Sequence, residues 1–391
     1  MKKLFWTSVA SCALLCGAPI TRAAEPYDIH VILPMTGGGS FAGKGQQQSL
    51  LALADVLNKE GGIAGRPVRF VVHDDQTSPQ VAVQLANEVL ADKPAVILGS
   101  SLVAMCAATA PLMKSGPVQY CLSPGLHPTA GGYVFSASSS STDQMAAVIR
   151  YYRLKGWTRL AVLNTTDASG QDGDRGIDAV LAQPENKDMK KVVHEHFNPT
   201  DVSVAAQIEK IKASDAQAIM SWATGTPVAT VFKGAIQAGL DLPISPTSGN
   251  QTFAQMEQWK DFLPKQLLFP SALFPEHDGV ITLDPRVEKA QHDMYAVLKE
   301  RNLKADNMEA TSWDAGLIVV SALRKLGPDA SADQIRQYIS GLTDFAGIDG
   351  TYNFKDNPER GLGDVSSIVV GYDPAGKSWV WLSKPGGEPL K

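Results

Sequence analysis

The sequence has no excess of positive charge, few cysteines and no long apolar run beyond its start. Its 35 Lys and Arg residues are fewer than its 40 Asp and Glu residues, which argues against a general nucleic-acid-binding protein. A hydrophobic content of 44% is too high for a disordered chain. At 391 residues the chain is long enough for two domains, each with its own core.

Enzyme motifs are also missing. The sequence contains no G-x-x-x-x-G-K-[ST] phosphate loop, no H-E-x-x-H zinc helix and no G-x-S-x-G nucleophile elbow. The glycines at 37–39 follow a predicted strand, but a dinucleotide site needs an acid about 20 residues later at the end of the second strand. The acids at that strand end, Asp74 and Asp75, come much later, 37 residues after Gly37. We therefore expect neither catalysis nor a cofactor, and we interpret the glycines as a loop that opens onto a ligand.

Two segments carry weak metal-site features. His194 and His196 lie on one side of a predicted strand, but two ligands are few for a metal, and Glu195 between them is typical of a solvated edge. The acidic run at 167–174 lacks the glutamate that a calcium loop has at its twelfth position. We therefore predict no metal site.

The N-terminus is typical of an export signal. Lys2 and Lys3 precede an apolar stretch at 4–18, and small residues at 21–24 offer a cleavage site. A membrane anchor is the competing interpretation, but Pro19 and Arg22 end the stretch before it reaches the roughly 20 residues needed to span a bilayer. We therefore expect residues 1–24 to be removed and the protein to lie in the periplasm.

Of the four cysteines, only Cys106 and Cys121 would remain after cleavage. The first lies near the start of a predicted helix, and the second lies late in the following strand, so both reach the same sheet edge. In an oxidising compartment this placement favours a disulfide, with two buried thiols as the alternative. A metal site is disfavoured because no further ligand is near in sequence.

Apolar strands alternate with amphipathic helices along most of the chain. Strands are predicted at 28–33, 67–72, 95–98 and 118–122, with helices between them, and a second series of such units runs from 143 to about 244. This alternation predicts an α/β fold with parallel sheets covered on both faces. The serine-rich run at 135–143 separates the two series and is predicted to cross between domains.

Long helices predicted at 284–301, 309–326 and 331–341 have no strands of their own to cover. They must pack on a sheet already formed, so we expect the chain to return to the first domain near 275 and to cross again near 360. The predicted fold is two doubly wound lobes joined by a three-segment hinge. Lobe 1 is residues 25–141 plus 276–360, and lobe 2 is residues 142–275 plus 361–391.

The loops after the strands are the candidate binding site, because ligands of doubly wound sheets bind beyond the carboxyl ends of the strands. These loops are rich in Gly, Ser, Thr and Asn, and they lie at 35–43, 100–103, 123–127, 165–170, 224–226 and 248–252. They offer backbone amides, hydroxyls and helix N-termini that favour anions. Phe41, His127 and Trp222 add rings nearby.

Several segments together resemble a known family, the type I periplasmic solute-binding proteins of the branched-chain amino acid ABC transporter group (Leu/Ile/Val-binding protein-like). The similarity covers about residues 27–383, and its ordered motifs are LPMTG (33–37), NKEGGIAGRPV (58–68), DD (74–75), ILG (97–99), GW (156–157), DASG (167–170), PTD (199–201) and AGL (238–240). The resemblance implies two lobes that close on a small ligand and deliver it to a membrane permease, without chemistry. It also implies a monomer with no nucleic-acid partner. The alternatives are a ligand-sensing periplasmic module and an exported enzyme.

The resemblance also implies positions for the ligand contacts. The loop that holds the ligand carboxylate corresponds to Ser100, Ser101, Leu102 and Val103, with Val103 where the family usually has serine. Further contacts correspond to Phe41, Leu126, His127 and Ser169, and the loops of the second lobe add Trp222, Thr224 and Asn250. The family's acidic partner for an ammonium group corresponds to 249–250, where this chain has no acid.

A buried ammonium group without a carboxylate partner is costly, so we predict an organic acid, plausibly aromatic, rather than an α-amino acid. Asp143 and Asp167 are the acids that could reverse this, although each suits a local capping or turn role. Trp222 could instead be a core residue, Asn250 a cap for the helix that begins near Phe253, and His127 part of a solvated turn.

Overall fold

The computed structural model describes residues 24–277 and 279–390, so the predicted export signal at 1–24 lies almost entirely outside the described residues. The strands are β1 (Tyr27–Leu33), β2 (Val68–Asp74), β3 (Val96–Gly99), β4 (Val118–Cys121), β5 (Val134–Ser136), β6 (Arg159–Thr165), β7 (Lys190–Phe197), β8 (Ala218–Met220), β9 (Ile244–Ser245), β10 (Leu268–Ser271), β11 (Phe345–Ala346), β12 (Thr351–Tyr352), β13 (Ile368–Asp373) and β14 (Ser378–Trp381). The helices are α1 (Ser40–Lys59), α2 (Pro79–Ala91), α3 (Val103–Thr109), α4 (Ser141–Leu154), α5 (Ala168–Leu181), α6 (Ala205–Lys212), α7 (Pro227–Gln237), α8 (Phe253–Gln258), α9 (Pro285–Glu300), α10 (Asn307–Leu326) and α11 (Ala332–Gly341).

The first lobe is built on a five-stranded parallel sheet in the order β2-β1-β3-β4-β5. Its central strands β3 and β4 are buried on both faces because helices cover both sides. Leu50 and Leu53 of α1 share one buried cluster with Trp313 of α10 and Ile335 of α11. The long helices α9 to α11 therefore share a core with the first sheet.

The second lobe is built on a four-stranded parallel sheet in the order β7-β6-β8-β9. A three-stranded antiparallel sheet, β10-β13-β14, continues it through a bridge between Ile244 and Leu267. Phe232, Trp259, Phe269 and Trp379 form its aromatic core. Two parallel sheets covered by helices confirm the predicted fold class.

Three chain segments connect the lobes. They lie between β5 and α4, between β10 and α9, and between β12 and β13. The Oγ atoms of Ser139 and Ser367 are 2.6 Å apart and buried, so a hydrogen bond ties the first segment to the third. The serine-rich run predicted as a crossing thus contains the end of β5, the crossing itself and the start of α4.

A disulfide joins Cys106 in the first turn of α3 to Cys121 at the end of β4, and the Cα atoms are 5.9 Å apart. Both residues are fully buried. The bond fixes the start of α3 to the sheet edge that faces the second lobe. Within residues 24–277 and 279–390, we find no helix that is both long and apolar enough to cross a bilayer.

Candidate functional site

A cleft of about 400 Å³ lies between the lobes, at the carboxyl ends of both parallel sheets. This size falls within the usual range of small-molecule sites. Seven of the predicted site residues line it: Phe41, Ser101, Leu102, Val103, Ser169, Trp222 and Thr224. Four of these belong to the first lobe and three to the second, so any occupant contacts both.

The first-lobe wall is centred on the start of α3. The Ser101 hydroxyl donates a short hydrogen bond to Oε1 of Gln46, which holds this loop against α1. Among the described residues, no side chain caps α3, whose N-cap position is held by Leu102. Because the first amides of a helix lack intrahelical acceptors, the start of α3 offers hydrogen-bond donors to the cleft.

The second-lobe wall is centred on the start of α5. Asp167 caps this helix by accepting hydrogen bonds from the amides of Ser169 and Gly170, as its predicted local role requires. The Oγ of Ser169 and the Oγ1 of Thr224 are 2.7 Å apart, so the two hydroxyls form one polar pair. Beside them, Trp222 lines the cleft and also packs in the core.

The lobes contact each other at the edge of the cleft. Nε2 of His127 in the first lobe lies 2.8 Å from Oδ1 of Asp172 in the second lobe. The Asp172 side chain is 4% exposed, whereas that of His127 is 46% exposed. On the opposite wall a Cβ atom added at Gly225 would lie 3.2 Å from Cε1 of Phe41. The structure is therefore a closed form of the two lobes.

The electrostatics of the cleft come from backbone amides, hydroxyls and two acids. Among the residues the structure describes, no lysine or arginine lines it, and Asp167 and Asp172 are its only acidic lining residues. Both acids already accept hydrogen bonds, Asp167 as a cap and Asp172 from His127. Their negative charge is thus partly compensated by local donors.

The start of α10 closes one side of the cleft through Asn307 and Met308. Behind it, Asp306 and Glu309 form a buried capping box. Burial raises the pKa of both carboxyl groups, and for Glu309 the negative charge of Asp306 raises it further. The amide of Phe253 in the second lobe donates to Oδ2 of Asp306 over 3.3 Å, which adds another contact between the lobes.

Four predicted site residues do not line the cleft. Ser100 is buried behind α3, where its hydroxyl donates to Oδ2 of Asp75 over 2.7 Å. The carbonyl of Leu126 accepts a short hydrogen bond from Arg360. His127 does not line the cleft itself but contacts two residues that do, Asp172 and Ser141. Asn250 is fully buried.

Asn250 holds its own turn together. Its Oδ1 accepts a hydrogen bond from Thr247 Oγ1 over 2.8 Å, and its Nδ2 donates to the carbonyl of Gly225 over 3.0 Å. The alternative role predicted for it, as the cap of α8, is wrong, because the hydroxyl of Thr252 accepts from the Gln255 amide there. Asn250 therefore supports the cleft from behind.

Other lining residues were not predicted from the sequence, including Asp172, Gln144, Asn307 and Met308. The prediction that Asp143 and Asp167 are the nearby acids thus omitted Asp172. Asp143 instead completes a capping box with Ser140 at the start of α4. The spacing along α5 gives no signal for Asp172, because residues five apart on a helix point about 140° apart.

Comparison with known proteins gives consistent matches. A sequence profile of the family described as periplasmic binding protein matches residues 26–370. The leucine-, isoleucine-, valine-, threonine-, and alanine-binding protein of Pseudomonas aeruginosa is 26% identical over 238 residues, which are 59% of this chain and 63% of that protein. The match thus spans less than two thirds of that relative.

Solved structures share the fold at lower identity. An extracellular ligand-binding receptor from Rhodopseudomonas palustris HaA2 superimposes with a TM-score of 0.79 and 20% identity, covering 92% of this chain and all (100%) of that chain. A fatty acid ABC transporter substrate-binding protein from Thermomonospora curvata superimposes with a TM-score of 0.74 and 18% identity, covering 93% and 90%. These structures support the two-lobed fold alone.

Proposed function

The chain belongs to the periplasmic binding protein family, whose members bind solutes rather than catalyse reactions, and from this premise we propose that it captures a small organic carboxylate for an ABC-type uptake transporter. The observation that carries the proposal is the closed cleft, which has one wall from each lobe and room for a small molecule. In the proposed cycle, the lobes open and close about the three-segment hinge, and the closed form docks on a membrane permease.

The polar groups of the cleft suit a carboxylate. The uncapped start of α3 offers amide donors on the first-lobe wall. On the second-lobe wall, one hydroxyl of the Ser169–Thr224 pair donates to the other, which leaves one hydroxyl hydrogen that the pair does not use. Hydrogen bonds to an ionised carboxylate are shorter and stronger than those between neutral groups. These donors can hold an anion without a lysine or arginine.

The apolar side chains of the cleft suit a ligand whose remaining part is aromatic or aliphatic. Phe41, Leu102 and Met308 face the cleft from the first lobe, and Trp222 faces it from the second. Such side chains contribute affinity through burial of apolar area, at roughly 25 cal/mol per Å². Amide and hydroxyl donors for a carboxylate, together with the rings of Phe41 and Trp222, therefore favour an aromatic or branched acid.

We propose an organic acid in preference to an α-amino acid because the two acids of the cleft are already engaged. Asp172 accepts from His127, and Asp167 accepts from the start of its own helix. At the position where the family has its ammonium partner, this chain has Gly249 and the buried Asn250. A bound ammonium group would have to compete with His127 for Asp172.

Calorimetry with the mature protein tests this preference. Benzoate-like and hydroxycinnamate-like acids are titrated beside leucine, alanine and glutamate, and at least one organic acid is expected to bind at least tenfold more tightly than any amino acid. Asp172→Asn is the matched variant, since it removes a charge but keeps the shape. Amino-acid binding in the wild type that is lost in Asp172→Asn would overturn the preference and assign the ammonium group to Asp172.

The named relatives bear on the ligand class only by analogy. The Pseudomonas aeruginosa relative is named for binding amino acids, and the Thermomonospora curvata structure for binding fatty acids. All of these ligands carry a carboxylate, which is the group our proposal shares with them. A sensing module that reports the same ligand is the second candidate, and failure of the protein to stimulate transport through its permease would favour it.

Export is part of the proposal. Cleavage after Ala23 or Ala24 would release a chain that begins just before β1. N-terminal sequencing of the protein from a periplasmic fraction tests this, and a retained Met1 would contradict it.

A further inference from the structure

A second cluster of ligand-type side chains lies outside the cleft, at the edge of the second sheet. His194 and His196 lie on β7, the outer strand in the order β7-β6-β8-β9. Because side chains alternate along a strand, residues two apart lie on one face. Asp174 of α5 covers that face, and its Oδ1 and Oδ2 lie 2.8 Å from Nε2 of His194 and of His196, respectively.

The three side chains converge on one point. One ligand atom from each lies within 4.8 Å of the other two, and the imidazole centroids are 4.7 Å apart. The side-chain exposures of 26% for Asp174, 32% for His194 and 39% for His196 leave one side of the cluster open to water. Water could therefore complete the coordination shell of an ion.

A further side chain orients the carboxylate. Nδ2 of Asn164 donates to Oδ1 of Asp174 over 2.8 Å, while Oδ1 of the same Asn164 accepts from the amide of Trp222. Outer hydrogen bonds of this kind hold metal-ligating carboxylates in place.

The cluster is separate from the cleft although both use α5. Residues two apart on an α-helix point about 200° apart, since a turn takes about 3.6 residues. Asp172 lines the cleft, and Asp174 contacts the outer strand on the other face of the helix. Binding at the cluster thus needs no residue that lines the cleft.

We infer that Asp174, His194 and His196 form a binding site for a divalent transition-metal ion of the Zn²⁺ class. Two imidazole nitrogens and one carboxylate suit borderline ions such as Zn²⁺, whereas Ca²⁺ and Mg²⁺ prefer oxygen ligands throughout. The ion takes the place of the hydrogen bonds at Nε2, and each neutral imidazole then carries its proton on Nδ1. Asp174 supplies the third ligand that was missing when the sequence alone predicted a solvated edge.

Calorimetry with ZnCl₂ on the EDTA-treated, dialysed mature protein tests the inference. One Zn²⁺ per chain is expected, with at least tenfold weaker binding in the double variant H194Q/H196Q. The control is H292Q, because His292 is a well-exposed histidine on α9, remote in sequence from the cluster. Circular dichroism of each variant without metal shows whether it is folded.

A second variant distinguishes loss of the metal site from loss of the folded structure. Asp174→Asn keeps the size of the side chain and a possible hydrogen bond to one histidine, and it is expected to weaken Zn²⁺ binding at least fivefold. Titration with Co²⁺ adds a spectroscopic signature, since nitrogen ligation alters its visible absorption. Absence of stoichiometric Zn²⁺ uptake, or uptake unchanged in the folded H194Q/H196Q variant, would overturn the inference and leave a hydrogen-bonded cluster only.

Discussion

Replacement of Cys106 and Cys121 by alanine should destabilise the protein and weaken ligand binding together. The disulfide closes a loop with a sequence separation of 15 residues. In the chain-entropy account, a cross-link of this length stabilises the folded state by about 3 kcal/mol at 25 °C, because it restricts the unfolded chain. Both cysteines are fully buried, so the alanine variant also loses packing around each sulfur.

The expected loss is therefore about 3 to 4 kcal/mol in the free energy of unfolding. Equilibrium urea unfolding, followed by circular dichroism, measures it for the oxidised wild type, the C106A/C121A variant and the reduced wild type. The reduced wild type is the matched control, because it lacks the cross-link but keeps both sulfur atoms. The reduced wild type should show most of the loss in the free energy of unfolding, because most of the stabilisation comes from the cross-link.

Ligand affinity should fall in the same variant because Cys106 lies in the first turn of α3, whose start lines the cleft. Thiol labelling completes the assay: the mature oxidised protein should show no free thiol even when denatured. The reasoning is refuted if the free energy of unfolding differs by less than about 1 kcal/mol between the oxidised and the reduced wild type. Quantitative labelling of both cysteines before reduction would refute it as well.

Two further substitutions test a buried carboxylate in lobe 1 and a close glycine contact in lobe 2. Burial, together with the charge of Asp314, raises the pKa of Asp349 well above its ordinary value, and neither oxygen of this carboxylate has a hydrogen-bond partner among the described residues. The folded state therefore carries a penalty that is absent below the unfolded pKa of about 3.9 and grows as pH rises towards the folded pKa. The difference in melting temperature between D349N and wild type should become more positive from pH 4 to pH 7.5, and a constant difference would contradict this. In lobe 2, a Cβ at Gly173 would lie 2.3 Å from the Cβ of Trp222, so G173A should cost about 1–3 kcal/mol in urea unfolding despite the better helix propensity of alanine. G341A, at the end of α11 where a Cβ meets nothing within 4 Å, is the control that should not destabilise.

The alternation could be predicted from the sequence because the helices show a 3.6-residue apolar period and the buried strands are short apolar runs between turn residues. The start of α5 at Ala168 is harder to predict, since Gly170, Gly173 and Gly176 lower the local helix propensity. These glycines are there for close packing, as a Cβ at Gly170 would lie 1.7 Å from the carbonyl oxygen of Thr165. The short elements β5, α8, β10 and β11 have too few residues to show a period.

The cleft was only partly predictable for a different reason. The loops that follow the strands could be located, so Ser101, Leu102 and Ser169 were found. The pairing of His127 with Asp172 joins the two lobes, and the convergence of Asp174 on His194 lies within the second lobe. Both bring together residues that are far apart in sequence, so neither leaves a local pattern.

The central claim, that a small carboxylate binds between the lobes, is tested most directly by calorimetry on an occluded variant. Ala168 is the first residue of α5 and lines the cleft, so Ala168→Trp should fill the space of the ligand. The account predicts that an organic carboxylate binds the wild type with a stoichiometry of one, that its amide analogue does not, and that Ala168→Trp, still folded, has lost binding. Equal affinity of the carboxylate for the wild type and for folded Ala168→Trp would contradict the account, because the ligand would then lie outside the cleft.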